Sequence, residues 1–404
     1  MKQDFPLLKK QSKLVYLDNA ATTQKPEACI NAIKEFYETS NANAHRGLYK
    51  LSMDATSKLD WARKRIAKYI EVKPDEIIFT KGTTEGLNML AIALEPEINS
   101  KHNIITTELE HHANFIPWQQ LSKRKKAEFK VAKYNKEKNN FEDITKLVDK
   151  NTKIVAFTAM SNVTGQIIDI ERISKKIKQK NPKTKIIIDG TQLLAHKKID
   201  LSKTNIDFIA FSAHKLYGPL GTGFLHGKQE QLTKLRPFLY GGNMISKVTT
   251  KETTWDEPPY KFEAGTIDTA GIYAFAKTIE WLQKQDLNKL FKKEEQLKEY
   301  ALKKLRKEGA KIFGHDISFQ NEDRQIQTYG PVISFEIKNI HPHDLATIAD
   351  KHNVCIRSGH HCCQPLMNSL KIPGTARISI SFYNDKKDVD KLIEAIKDAK
   401  RLLK

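Results

Sequence analysis

At 404 residues the chain can bury a large core and divide into two or more domains, and 39% apolar with 29% charged residues fits a soluble globular protein rather than a disordered or fibrous one. Its formal charge of +20 comes from 57 lysines and 11 arginines spread end to end; the densest cluster, Lys123 to Lys126 followed by Lys130, Lys133, Lys136 and Lys138, has little aromatic interleaving and no nucleic-acid fold motif, so it reads as a solvated lysine-biased surface rather than a DNA- or RNA-binding patch. Four cysteines, three of them (Cys355, Cys362, Cys363) within nine residues, are not a secreted disulfide framework, no window approaches a membrane span, and the first residues lack the apolar run of a signal peptide, so the reducing cytoplasm, or an equivalent organelle interior if a transit segment is already missing, is the expected compartment.

In chain order, Leu14–Leu17 reads as a short strand ended by Asp18-Asn19 and small residues. Pro26 opens a helix through Tyr37. The polar loop from Asn41 to Arg46 contains His45, and a long amphipathic run follows from Leu48 to Ile70. The strand Glu76–Thr80 leads into Gly82-Thr83-Thr84-Glu85-Gly86 at a helix start. That junction can present backbone N–H groups and hydroxyls to an anion, or be an ordinary cap with threonine at the cap position. The strand Asn103–Thr107 closes on His111-His112, which could ligate metal or stack on a flat ligand. Further strands are read at Ile154–Phe157, Ile186–Asp189 and Phe208–Ser212, the last two ending this set. Just past the last of them stands Lys215, in a Ser-x-His-Lys run before a glycine- and proline-rich turn.

Strand, loop and helix alternate at spacings that fit crossover connections. The pattern implies a mostly parallel sheet with helices on both faces, whose ligands sit at the carboxyl ends of the strands. Five polar motifs lie at such ends: Gly82–Gly86, Glu110–Asn114, Ser161–Gly165, Asp189–Gln192 and Ser212–Lys215. A charged helical stretch from about Trp281 to Leu305 then carries no new strand. Beyond it come an alternating strand at Val332–Ile337, a helix at His343–Lys351, strands at Asn353–Ile356 and Arg377–Phe382, and a terminal helix at Asp385–Leu403. This reads as a smaller α+β domain with its boundary near residue 285, giving a large domain over 20–285 and a small one from 1–19 and 286–404.

The strand-end residues suit a flat, phosphorylated pyridine aldehyde. Lys215 could hold it as a Schiff base if burial lowers the amine's pKa, and Asp189 could keep the ring nitrogen protonated. Thr83, Thr84, Ser212 and His214 could bind the phosphate, His111 could stack on the ring, and Gln192 and Asn162 could reach its phenolic oxygen. Each taken singly also reads as a cap, a turn or a satisfied core residue. The order is more specific: a strand-end Asp, then Ser-x-His-Lys about 25 residues later. Cys355, His360, His361, Cys362 and Cys363 could be read as zinc ligands, but the spacing is wrong for a paired knuckle. Arginine is scarce, so Arg46, Arg357 and Arg377 are singled out as carboxylate or phosphate binders.

Ten stretches carry a resemblance over nearly the whole chain: LDNAATTQKP (17–26), NAHRG (43–47), KGTTEGLN (81–88), LEHHANFIPWQ (109–119), SNVTG (161–165), DGTQ (189–192), SAHKLYGPLGTG (212–223), FEAGT (262–266), RSGHHCCQPLM (357–367) and RISISFYN (377–384). The chain resembles the class V aminotransferase family of fold-type I pyridoxal-phosphate enzymes, and within it the group II (SUF-system) cysteine desulfurases. The resemblance implies that Lys215 tethers the cofactor and later takes the Cα proton, that Asp189 pairs with the ring nitrogen, that His111 stacks and serves in proton transfer, and that Gln192 contacts the phenolic oxygen. It implies phosphate contacts from Thr84, Ser212 and His214, with Thr266 reaching in from the other subunit of a homodimer. Arg377 would bind the carboxylate of L-cysteine with Asn162 nearby, and Arg357 and His45 would line the entrance. Cys362 on the small domain would accept sulfur as a persulfide, leaving alanine, and pass it to a SufE- or SufU-like acceptor and the SUF scaffold machinery in iron–sulfur cluster assembly. Cys363 would relay sulfur or stand by as a spectator, and His360 and His361 are the local groups that could activate Cys362. Selenocysteine and cysteine-sulfinate cleavage share nearly all these groups. Thr191, the Tyr240–Asn243 loop and Ile267-Asp268 depart from the family pattern.

Overall fold

The computed structural model describes residues 1–45, 47–135, 140–315 and 328–403; Arg46, Lys136 and Lys138 lie outside the described residues. Seven strands form the central sheet, in spatial order Ile77–Thr80, Gly223–Gly227, Phe208–Ser212, Lys185–Asp189, Thr152–Thr158, Asn103–Thr107 and Glu128–Ala132. All run parallel except Gly223–Gly227, which is antiparallel to both neighbours. The interior strands are continuous apolar runs because helices cover both faces, as the wholly buried Phe208–Ser212 strand illustrates. The α/β reading of the sequence holds.

Two strands escape that reading. Glu128–Ala132 is an edge strand of mixed polarity. Gly223–Gly227 follows Phe208–Ser212 in the sheet, although its bounding glycines read as turn. Gly223 is required by close approach, since a Cβ there would lie 2.4 Å from the Phe211 carbonyl oxygen and 2.6 Å from Gly82 Cα. The Trp281–Leu305 stretch is likewise two helices, Thr269–Gln283 and Leu287–Lys307. Asp286 caps the second by accepting from Lys289 N.

A second, antiparallel sheet is ordered Lys311–Phe313, Val332–Glu336, Thr375–Ser379, Arg357–Gly359. Its core joins Ile333, Phe335, Ile378 and Ile396 to Val15 and Leu17 from the start of the chain. Val15–Tyr16 pairs in parallel with Val354–Cys355, and Asp18 bridges to Ser379. Ahead of that strand, Phe5 packs among Tyr217, Trp281, Phe382 and Tyr383, in the core that also contains the central strands. The segment from Val15 onward thus runs from the small sheet into the carboxyl edge of the large one.

One buried ion pair locks the turn at 262–266. Arg63 donates to Glu263 through both terminal nitrogens, at 2.9 and 2.7 Å, and Glu263 also accepts from Phe79 N at 2.8 Å. Both side chains are almost wholly buried. Glu263→Gln leaves the Arg63 charge buried and unpaired, and is expected to cost about 3–5 kcal/mol, read as a lower denaturation midpoint in urea.

Candidate active site

The carboxyl ends of the central strands and the edge of the small sheet enclose a cleft of about 230 Å³. Thr83, Thr84, His111, Asn162, Asp189, Gln192, Ser212, His214, Lys215, Arg357, Cys362 and Arg377 all line it. The five strand-end motifs therefore meet at one place. Sheet register explains part of this: Asp189 lies between Thr158 and Ala210 at the carboxyl edge, and Lys215 stands one short 3-10 turn beyond Ser212.

The turn carrying Lys215 is held from outside. The His214 carbonyl accepts from Thr23 N at 3.0 Å, the Thr22 and Thr23 hydroxyls at 3.1 Å each, and Lys25 Nζ at 3.0 Å. Burial lowers the Lys215 amine to about 8, Asp189 opposes the shift, and the Arg377 and Arg357 charges add to it. A deprotonated, nucleophilic fraction is thus present near neutral pH. Burial likewise takes His214 down to about 4, with the Lys215 and Lys25 charges adding to it, and its Nδ1 has no partner.

Burial pushes the Asp189 carboxyl up, against hydrogen bonds from Thr191 and the Lys215 charge. Beside it, Gln192 spends one amide hydrogen on the Ala20 carbonyl at 2.9 Å, leaving the other to donate. The cap of the helix Thr83–Ala93 is Gly82 at φ +145°, not a threonine. Thr83 N donates to Ser212 Oγ at 2.9 Å, and the Thr83 hydroxyl is shared between Ser212 and Thr191. Thr83 therefore orients Ser212, while Thr84 faces the cleft. Thr191, a departure from the family pattern, is part of this hydroxyl chain.

His111 caps the helix His112–Lys125, its Nδ1 accepting from Ala113 N at 3.1 Å. That bond puts the proton on Nε2. Burial, with the Lys215 charge adding, lowers the ring to about 3, so His111 is a flat neutral ring at physiological pH. Beneath it the buried Glu110 accepts from Thr107 Oγ1 and Asn114 Nδ2, both at 2.6 Å, and Asn114 accepts from Trp118 Nε1.

At the other end of the cleft Arg377 is buried on the strand Thr375–Ser379. It donates to the Asn162 carbonyl and to Asp18 Oδ1, each at 3.0 Å, and Asp18 Oδ2 lies 3.7 Å from Arg357. Asn162 donates to the His361 carbonyl at 2.7 Å, which ties the 161–165 turn to the cysteine loop. His361 and Cys362 are both left-handed, with φ of +52° and +55°. Their loop is held by His112 N donating to the Cys362 carbonyl at 2.7 Å and Cys362 N donating to His360 Nδ1 at 3.1 Å. His361 bonds the Thr375 hydroxyl, and burial beside Arg377 drives its pKa far down, so it is no base for Cys362. Cys363 points the opposite way, buried, its thiol donating to the Glu108 carbonyl.

Two expected site residues lie elsewhere in the protomer. His45 packs its ring edge on Tyr260 and its Nε2 is buried without a partner, while Thr266 is exposed. Asp18 and Lys25 are the residues that sequence reasoning left unassigned. Both stand in the LDNAATTQKP stretch, where Asp directly after a strand was the available signal.

The cleft fits pyridoxal phosphate. A buried carboxyl at Asp189 gains from a protonated ring nitrogen, and the unpartnered His214 Nδ1 lies beside Thr84 and Ser212 at a helix start suited to a phosphate.

Residues 15–392 match the aminotransferase class-V family. The chain is 39% identical over 412 residues to a cysteine desulfurase of Wigglesworthia glossinidia brevipalpis, covering 100% of this chain and 98% of that one. It is 40% identical to a probable cysteine desulfurase of Staphylococcus aureus strain COL, covering 98% and 95%. Among solved structures, an apo cysteine desulfurase from Thermococcus onnurineus NA1 superposes with a TM-score of 0.91 at 32% identity, covering 100% and 97%. The Escherichia coli cysteine desulfurase CsdA gives 0.89 at 33%, covering 100% and 98%.

Proposed function

The chain belongs to the class-V aminotransferase family of fold-type I pyridoxal-phosphate enzymes, and on that premise we propose that it is a cysteine desulfurase, converting L-cysteine to L-alanine with the sulfur retained on Cys362. The observation that carries the reading is the presence of Cys362, Lys215 and Arg377 in one cleft, with the cysteine loop bonded to His112 and Asn162 rather than left to solvent. Other enzymes of such a fold can share the lysine and the arginine; a thiol held over the same cleft suits sulfur abstraction.

Pyridoxal phosphate, when bound, supplies an electrophilic aldehyde and a protonated ring that takes up the electron pair left at Cα. Asp189 would hold the proton on the ring nitrogen, Thr84, Ser212 and His214 would receive the phosphate, and His111, neutral near physiological pH, would offer its flat ring for stacking. Arg377 takes the substrate carboxylate, with Asn162 beside it. Lys215, as the free amine, removes the Cα proton. Cys362 as thiolate attacks the substrate sulfur. The C–S bond breaks, its electron pair stays with carbon, and the sulfur remains on Cys362 as a persulfide.

The reading includes a homodimer: Leu48 is 97% exposed, Tyr49, Met53, Leu220, Leu239 and Tyr240 are further large exposed apolar side chains, and His45 and Thr266 do not line their own protomer's cleft. Half-exposed Cys362 is open to a protein acceptor of the SufE or SufU kind, consistent with a role in cytoplasmic iron–sulfur cluster assembly. The test is a visible spectrum of the purified protein followed by turnover. A cofactor band, equal yields of alanine and sulfide in the presence of a thiol, and a mass gain of one sulfur atom on Cys362 are expected. Bound cofactor without release of alanine from cysteine would overturn the assignment.

A further inference from the structure

Asp189 is a carboxyl that burial alone would leave neutral, and few groups oppose that. Lys215 supplies a charge, and Thr191 supplies two donors, its N–H at 3.0 Å from Oδ1 and its hydroxyl. The nearby Glu110 is itself pushed up to about 8 by burial, and His111 is neutral, so neither replaces Thr191 near neutral pH. The Thr191 hydroxyl is the end of a row. Its oxygen lies 2.5 Å from the Thr83 hydroxyl, and Ser212 Oγ donates to Thr83 Oγ1 at 3.0 Å while accepting from Thr83 N at 2.9 Å. Each hydroxyl has one hydrogen to give. With the Thr191 hydrogen on Asp189, the contact between the threonines needs Thr83 as its donor, and the Ser212 hydrogen then completes the row. All four residues are buried and line the cleft.

We propose that Thr191 is a positioning residue: its hydroxyl, oriented by Thr83 and Ser212, holds Asp189 as a carboxylate and so keeps the proton of that pair on the cofactor's ring nitrogen. This rests on the placement of the ring nitrogen at Asp189 made above, and not on the desulfurase reading. One proton lies between a buried carboxylate and a pyridine nitrogen. A donor on the carboxylate favours the ion pair over the neutral acid, and hydrogen bonds in series at low dielectric strengthen one another. Without the hydroxyl, burial draws the proton towards Asp189 and weakens the pairing with the ring. Thr191 is also one of the positions at which the chain departs from the family pattern.

The experiment measures the affinity of the full-length protein, freed of cofactor, for three ligands: pyridoxal phosphate, its deaza analogue with carbon in place of the ring nitrogen, and pyridoxal, which lacks the phosphate. Wild type, Thr191→Val, Thr191→Ser and Asp189→Asn are compared. Wild type should prefer pyridoxal phosphate to the deaza analogue, and Asp189→Asn should lose most of that preference. Thr191→Val should lower the preference about tenfold, through weaker binding of pyridoxal phosphate and pyridoxal alike, while Thr191→Ser keeps it within about threefold. A preference in Thr191→Val within about twofold of wild type overturns the proposal. So does a loss shared by the deaza analogue with pyridoxal spared, which would put the action of Thr191 at the phosphate. If Thr191→Val does not fold, Thr191→Ala gives the same comparison. No preference in wild type would remove the ring nitrogen from Asp189 and the proposal with it, whereas a wild-type preference left intact in the valine variant removes the role of Thr191 alone.

Discussion

Cys362→Ala should abolish alanine and sulfide release from L-cysteine, a loss on the order of a thousandfold or more, while the visible spectrum of the bound cofactor persists. The expectation is sharp because no neighbouring thiol can take over. Cys363 is adjacent in sequence, but its side chain is buried on the opposite side of the loop, donating to the Glu108 carbonyl, and burial pushes its pKa up. Only a thiolate attacks sulfur. Cys355 does not line the cleft, and burial raises its pKa as well. Among the described residues, the nucleophile therefore comes from one position. Undiminished turnover of cysteine by this variant would sink the role assigned to Cys362.

Lys215→Ala has an effect of comparable size for a different reason. The groups around it are poor bases: His111 lies near 3, and His361 is depressed further by burial and the arginine charges. With its amine near 8, Lys215 is deprotonated in about one molecule in ten at pH 7, and it is the basic group on the cleft wall suited to the Cα proton. Its loss should lower kcat on the order of a thousandfold or more. Cofactor should remain through desalting, because Asp189, Ser212, Thr84 and His214 are untouched. Lys215→Arg should be no better, since a guanidinium keeps the charge but supplies no free base. Partial recovery with added small primary amines would support the base role, and full activity without them would refute it.

How much of this could be read from the chain follows from the range of each interaction. Parallel strands such as Phe208–Ser212 are buried on both faces, so they appear as unbroken apolar runs, and the polar residues ending them mark the cleft. The central sheet and most of the cleft lining were legible for that reason. Gly223–Gly227 was not, because its glycines serve close packing against Phe211 and Gly82 and look locally like a turn. The break between two helices inside the charged helical stretch was not legible because it turns on Asp286, whose capping bond is a matter of side-chain geometry. Asp18 was visible only as a strand terminator; its meaning depends on Arg377 and Arg357, which no periodicity connects to it. The opposite orientations of Cys362 and Cys363 arise from two consecutive left-handed residues that a sequence of ordinary side chains does not announce.

The pairing of Val15–Tyr16 with Val354–Cys355, and of Asp18 with an arginine 359 positions further on, has a consequence for biosynthesis. A ribosome must emit nearly the entire chain before the first strand finds its neighbour, and loops this long close slowly. A nascent product that stops short of residue 357 can contain Lys215, Asp189 and Thr84, yet it lacks Arg377 and Cys362, the groups proposed to take the carboxylate and the sulfur. On the proposed roles, desulfurase activity therefore appears only once the polypeptide is nearly complete.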